Sequence, residues 1–110
     1  MYWYGTSWVQ LGQNLYGDNI NELFGHDLSI NENGDFIAIG APGDFSVSGH
    51  RSGSISLLQY INNNWHEIGD KIYGNNNDST GFSVSSNNFG NIITYGSINS
   101  QNLNQNTGRF

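Results

Sequence analysis

The sequence predicts an all-β chain made of repeated units, and three observations carry that prediction. Gly occurs 15 times and Asn 18 times in 110 residues, and both belong in tight turns and are depleted from strand interiors. Only 35% of the chain is apolar but 14% is aromatic, so large rings supply buried area in a core otherwise filled by small and polar residues. The third observation is that the chain repeats itself, and repeats are sought before any other pattern. No apolar stripe of helical period and useful length appears anywhere in the chain.

The repeat is read by sliding the chain along itself. At an offset of 57, Trp8 falls on Trp65, Gly12 on Gly69, Tyr16 on Tyr73 and Gly17 on Gly74, while Leu11 meets Ile68 and Leu15 meets Ile72. A one-residue gap changes the offset to 56, and Gly25 then meets Gly81, Leu28 Val84, Ser29 Ser85, Gly34 Gly90, Ile37 Ile93 and Gly40 Gly96. One further slip sets Gly53 on Gly108.

Each strand of the period has its own signal. Phe24 to Ile30 is the first strand, followed by the turn Asn31-Glu32-Asn33-Gly34-Asp35. Phe36 to Ala41 is nearly all apolar, as expected of a strand buried on both faces, and Pro42 helps to end it because proline has no N–H for a ladder. Gly53 to Ile61 is the third strand, with Asn62-Asn63-Asn64 as its turn. Trp65 to Ile68 is the fourth, closed by Gly69-Asp70. Four strands in a period of 56 or 57 residues suit a β-propeller blade. The expected architecture is therefore two consecutive four-stranded blades, a partial propeller: residues 1–21 end one blade, 22–74 form a complete one and 75–110 a partial one. Met1 aligns with Leu58 and Phe110 with Ile55, so the termini split one strand. The tail Asn99 to Thr107, rich in Asn and Gln, reads as a loop.

Phe24-Gly25 at the opening of one strand and Gly40-Ala41-Pro42 at the close of the next resemble the FG-GAP repeat of integrin-α-type β-propellers. Trp8-Val9-Gln10-Leu11-Gly12 followed by Tyr16-Gly17, and again Trp65 through Gly74, resemble the outer-strand signature of its bacterial and viral variants. The second copy departs from the pattern, with Gly81-Phe82 in place of Phe-Gly and Gly96-Ser97-Ile98 in place of Gly-Ala-Pro. The resemblance implies a propeller scaffold for adhesion or binding in an extracellular or cell-surface setting, although no signal peptide is visible in the sequence. It also implies a calcium test, since some repeats of this family hold Ca²⁺ in the loop that corresponds to Asn31–Asp35.

Composition excludes several function classes. Net charge is −6 with only Arg51, Lys71 and Arg109 basic, so there is no stripe to neutralise the phosphates of a nucleic acid or an anionic bilayer. No apolar run approaches the roughly 20 residues that span a bilayer. With no cysteine, disulfides and thiolate metal sites are absent.

Candidate sites are few. Asn31, Asn33 and Asp35, with Glu32, are the candidate Ca²⁺ ligands, but calcium takes about six to eight oxygens with several carboxylates, and the matching loop Ser86 to Asn91 has none. Asn and Gly also suit a plain hairpin turn there, which is the preferred reading, and no cofactor is expected. His26, Asp27, Asp44 and His50 mimic a metal set without its spacing. There is no Gly-x-Ser-x-Gly elbow and no phosphate-cradling glycine motif, so no enzyme is expected. Trp8 and Trp65, like Tyr16 and Tyr73, repeat one blade position and are expected to pack between blades rather than stack on sugars. The loop Asp44 to Ser52, with Asp44, Ser46, Ser48, His50 and Arg51, is the best candidate ligand-binding loop.

The function expected is that of a non-catalytic scaffold for protein or glycan binding, the alternative being a structural spacer with no ligand. Two blades leave faces and edges open. The scaffold thus belongs to a longer propeller or is completed by copies, a homo-oligomer in which one chain's Gly108-Arg109-Phe110 is continued by another's Tyr2-Trp3-Tyr4.

Overall fold

The apolar run from Phe36 to Ala41 forms the central strand of the largest sheet in the computed structural model of the chain, which describes residues 2–5, 7–18, 21–44, 52–75, 78–100 and 107–109. The described residues hold ten strands and no helix. In chain order they are β1 (Tyr2–Tyr4), β2 (Ser7–Val9), β3 (Asp27–Ile30), β4 (Phe36–Ala41), β5 (Ser54–Ile61), β6 (Asn64–Glu67), β7 (Ile72–Tyr73), β8 (Ser83–Ser86), β9 (Ile93–Ser100) and β10 (Thr107–Arg109). Among these residues no helix is long and apolar enough to cross a membrane.

The strands make antiparallel sheets. β3-β4-β5-β6 is a four-stranded meander, and β7 pairs with the start of β5, extending the edge that β6 begins. The fourth strand ends at Glu67, before Gly69-Asp70 and within a residue of its expected bound, and a further short strand that the sequence did not indicate follows at Ile72. A second sheet has the order β8-β9-β10, and β1-β2 is a hairpin.

The sequence repeat reappears as a repeat of register. Asp27 pairs with Gly40 as Ser83 pairs with Gly96, and Tyr60 pairs with Trp65 as Trp3 pairs with Trp8. Ala41 pairs with Ser54 as Ser97 pairs with Arg109. β10 thus corresponds to the beginning, and β1 to the end, of the strand position that β5 fills whole.

Two expectations are corrected. Phe24, Gly25 and His26 form a turn and not the start of a strand: Leu23 (φ 61°) and Gly25 (φ 86°) are left-handed, and His26 N–H donates to Leu23 O. The second copy repeats this turn at Ser79 (φ 56°) and Gly81 (φ 93°). Asn99 and Ser100 belong to β9 and Thr107 to β10, while residues 101–106 of the expected tail loop lie outside the described residues.

Ile39, Leu58 and Trp65 form the core of the largest sheet, with Leu11, Leu15, Phe24, Ile37 and Tyr60 packed around them. Each such side chain, fully buried, contributes about 1.5–3 kcal/mol. The opposite side of this sheet receives β8. Gly40 and Gly81 meet there so closely that a Cβ on Gly40 would stand 2.0 Å from Gly81 O. The N–H groups of Val84 and Ser86 turn away from β9, because Asn87 N–H bonds Ile92 O and facing amides alternate along an antiparallel strand. They are taken instead by β3: Asp27 Oδ2 accepts from Val84 (2.8 Å), and Ser29 Oγ accepts from Ser86 (3.0 Å). The two sheets are thereby joined through an edge that would otherwise be open.

Substituting Gly40→Ala forces the sheets apart at a backbone atom that cannot step aside. Urea unfolding is expected to show a loss of about 1–3 kcal/mol, against less than about 0.5 kcal/mol for Ser7→Ala on the exposed face of β2.

Candidate functional site

The segment between β2 and β3 crosses the outer edge of the largest sheet, and its polar side chains hold it there. Gln13 clamps the backbone of Trp65: its Oε1 accepts from Trp65 N–H and its Nε2 donates to Trp65 O, both at 2.8 Å. Trp65 Nε1 donates in turn to Leu11 O at 3.0 Å. Trp65 is left 9% exposed, and its ring centroid lies 5.2 Å from that of Tyr60. Trp65 thus packs into the core of its own sheet, whereas Trp8, the same position one repeat earlier, is 66% exposed. Tyr16 and Tyr73 differ from expectation, since both rings are exposed.

Two buried acids tie this segment and its counterpart to the chain that follows. Glu22 Oε1 accepts from Asp18 N–H, and Asp78 Oδ2 accepts from Asn75 N–H, both at 2.9 Å. Glu22 and Asp78 stand at the offset of 56, so the alignment that revealed the glycines also contained this pair. Their chemistry was not singled out because an acid in a turn ordinarily faces water.

Lys71 joins the segment to the chain beyond the end of β4. Its Nζ donates to Asp18 Oδ2 and lies 3.7 Å from Asp44 Oδ2. Asp44 is buried and also accepts a hydrogen bond from Ser54 Oγ at 2.7 Å. Burial by itself pulls the Lys71 ammonium down, but the hydrogen bond to Asp18 and the negative charges of Asp44 and Asp18 outweigh it and hold the group above its ordinary 10.5. A lysine fixed as a cation between two carboxylates is a staple, unsuited to nucleophilic work. Leu15, Tyr16, Phe24, Glu67 and Lys71 line a cleft of about 90 Å³ beside it. That is well below the roughly 300–1,000 Å³ of small-molecule sites.

The residues singled out from the sequence are distributed as follows. Asn31 is buried and spans its turn: Nδ2 donates to Asp35 Oδ1 (2.7 Å), and Oδ1 accepts from the N–H groups of Asp35 and Phe36 (both 3.1 Å). Asn33 is exposed. Asn87 and Asn91 repeat the same bonds in a turn that has no carboxylate. Asp44 points inward as the anchor of the candidate binding loop, while Ser46, Ser48, His50 and Arg51 lie outside the described residues. His26 rests against the Phe82 ring at 4.7 Å, and Asp27 serves Val84, so these neighbours are not brought to one site. Among the described residues no three His, Asp or Glu side chains gather as a metal set would.

Lys71 bears directly on pH dependence. Its folded-state pKa is raised, so its contribution is fully present below the ordinary value of 10.5 and is lost as pH rises through the folded-state value. The stability difference between wild type and Lys71→Met, about 1–3 kcal/mol once the exposed Asp18 arm is discounted, is expected to stay constant from neutral pH up to the lysine range and to shrink above it. Denaturant midpoints across that range give the difference directly. In comparisons with known proteins, no family model, no curated protein and no solved structure matches the chain.

Proposed function

We propose that the chain is a non-catalytic binding scaffold, two consecutive blades of an FG-GAP-type β-propeller whose connecting segments contact a glycan. The observation that carries the reading is the repetition at the level of atoms. The Asn31 and Asn87 turns, the Glu22 and Asp78 ties, and the pairs Asp27–Gly40 and Ser83–Gly96 occur twice at one spacing. A scaffold of successive blades needs such local, self-similar bonding, because each unit leans only on its neighbours.

Exposed tyrosines at one repeated position favour a glycan over a protein surface. Tyr16 and Tyr73 follow the Trp8 and Trp65 edges and present their rings to solvent. Asn14 Nδ2 donates to the Tyr16 hydroxyl at 3.1 Å, which orients that ring. An apolar ring face beside amide donors and acceptors suits a sugar ring, which has an apolar face and a hydroxyl rim.

A glycan array probed with the folded chain is expected to give a defined set of bound sugars. Tyr16→Ala with Tyr73→Ala is expected to lower that binding by at least tenfold and leave the melting temperature within about 2 °C, since surface changes away from packed features cost little. Absence of any bound glycan would instead assign the chain to the spacer class.

A further inference from the structure

We infer that a second copy of this chain docks head-to-tail on the open face of β8 and β9, reusing between chains the interface that already joins β3 and β4 to β8 within one chain. The inference rests on the blade reading above and deepens it by naming a partner.

The internal interface has two sides, and each side exists a second time, open. On the receiving side stand Asp27, Ser29, Phe36 and Gly40, which meet Val84, Ser86, Gly90 and Gly81. One repeat later, at the offset of 56, the receiving positions are Ser83, Ser85, Ile92 and Gly96. Ser83, Val84, Ser85, Thr94, Tyr95 and Gly96 line an open trough of about 330 Å³. Phe36 is 6% exposed, whereas Ile92 in its place is 61% exposed. A Cβ on Gly40 would strike Gly81 O at 2.0 Å, but one on Gly96 would meet only the Ser83 side chain.

The inserting side behaves in the same way. Val84 is 8% exposed against the larger sheet, and Leu28, its counterpart, is 51% exposed. Gly81 and Gly90 are crowded by Gly40 and Phe36, whereas Gly25 and Gly34 have no atom within 4 Å of an added Cβ. Leu28 and Ile30 turn their N–H groups away from β4, as Val84 and Ser86 turn theirs away from β9, because Asn31 N–H bonds Phe36 O. Ser83 and Ser85 offer hydroxyl oxygens where Asp27 and Ser29 supply acceptors to β8.

A second copy brings its Leu28, Ile30, Gly25 and Gly34 side to the trough and meets a surface already shaped for that kind of side. Such a contact is heterologous, because the two partners use different patches. Continuity with the internal joint, the hydroxyl acceptors of Ser83 and Ser85, and the open approach over Gly96 select a second copy over a small molecule or an unrelated protein.

The test is the solution mass of the full chain by size-exclusion chromatography with light scattering, from micromolar to millimolar concentration. Wild type is expected to form multiples of the monomer. Leu28→Arg blocks one side and Ser85→Arg the other; both positions are exposed, so each variant is expected to keep its β-type circular dichroism and to run as a monomer. An equimolar mixture of the two variants is expected to give a heterodimer, because each brings the side that the other has lost. A wild type that melts cooperatively and stays monomeric throughout would overturn the docking while leaving the scaffold reading to the glycan array. A wild-type oligomer indifferent to both arginines, or a mixture that stays monomeric, would also overturn it. Should one variant fail to fold, the other still decides, since either arginine alone is expected to abolish the assembly.

Discussion

The rest of the structure depends on one close approach, that of Gly40 to Gly81, where two sheets meet with no side chain between them. Because the backbones come this near, Asp27 and Ser29 reach the outward amides of β8, and an exposed strand edge becomes a bonded one. Thr80 is brought alongside Gly53 in a parallel bridge, and its hydroxyl bonds that of Ser97 at 2.6 Å in a buried position. A side chain at position 40 would lengthen each of these contacts at once. The glycine is therefore a spatial requirement of the joint, independent of any freedom it lends to the backbone.

A chain in which only 35% of the residues are apolar needs other means of holding its turns, and it uses side-chain-to-backbone bonds. Asn31 and Asn87 each bridge a turn through two accepted N–H bonds, Gln13 holds both polar groups of the Trp65 backbone, and Glu22 and Asp78 each fix an amide in the preceding segment. Each bond of this kind contributes about 1 kcal/mol net, but leaving its buried partner unmet costs more. Asparagine and glutamine suit the task because they donate and accept from one side chain. The abundance of Asn in the composition is thus an element of the architecture. Lys71 adds an ionic version, drawing Asp18 of the edge segment toward Asp44 beyond the end of β4.

Much of this was legible in the sequence. The apolar run Phe36 to Ala41 became β4 at its expected bounds, and the Asn-Gly clusters became turns. The offset that changes from 57 to 56 describes the registers of the sheets, including the strand position divided between β1 and β10. The turn at Phe24-Gly25-His26 was not legible, because Leu23 and Ser79 take positive φ at residues that sterics ordinarily exclude from it. The strand β7 was not legible, because only two residues, Ile72 and Tyr73, form it beyond the turn that closes the fourth strand. Burial was the least legible quantity. Trp8 and Trp65 are the same residue in the same repeat position, yet only Trp65 has the Leu11–Leu15 segment laid across it. Local pattern states which way a side chain points, and only the neighbouring unit states what covers it.

The central claim is that side chains of β3 cap the outward edge of β8 and make two sheets one structural unit. Amide hydrogen exchange at Val84 and Ser86, followed residue by residue by NMR, tests it most directly. The account predicts that these two amides, although they face away from β9, exchange within about tenfold of the β8 amide of Ser85, and that Asp27→Ala releases Val84 toward the rate of an open edge. Exchange of both at the rate of an exposed loop in the wild-type chain would show that the edge is open and would contradict the account.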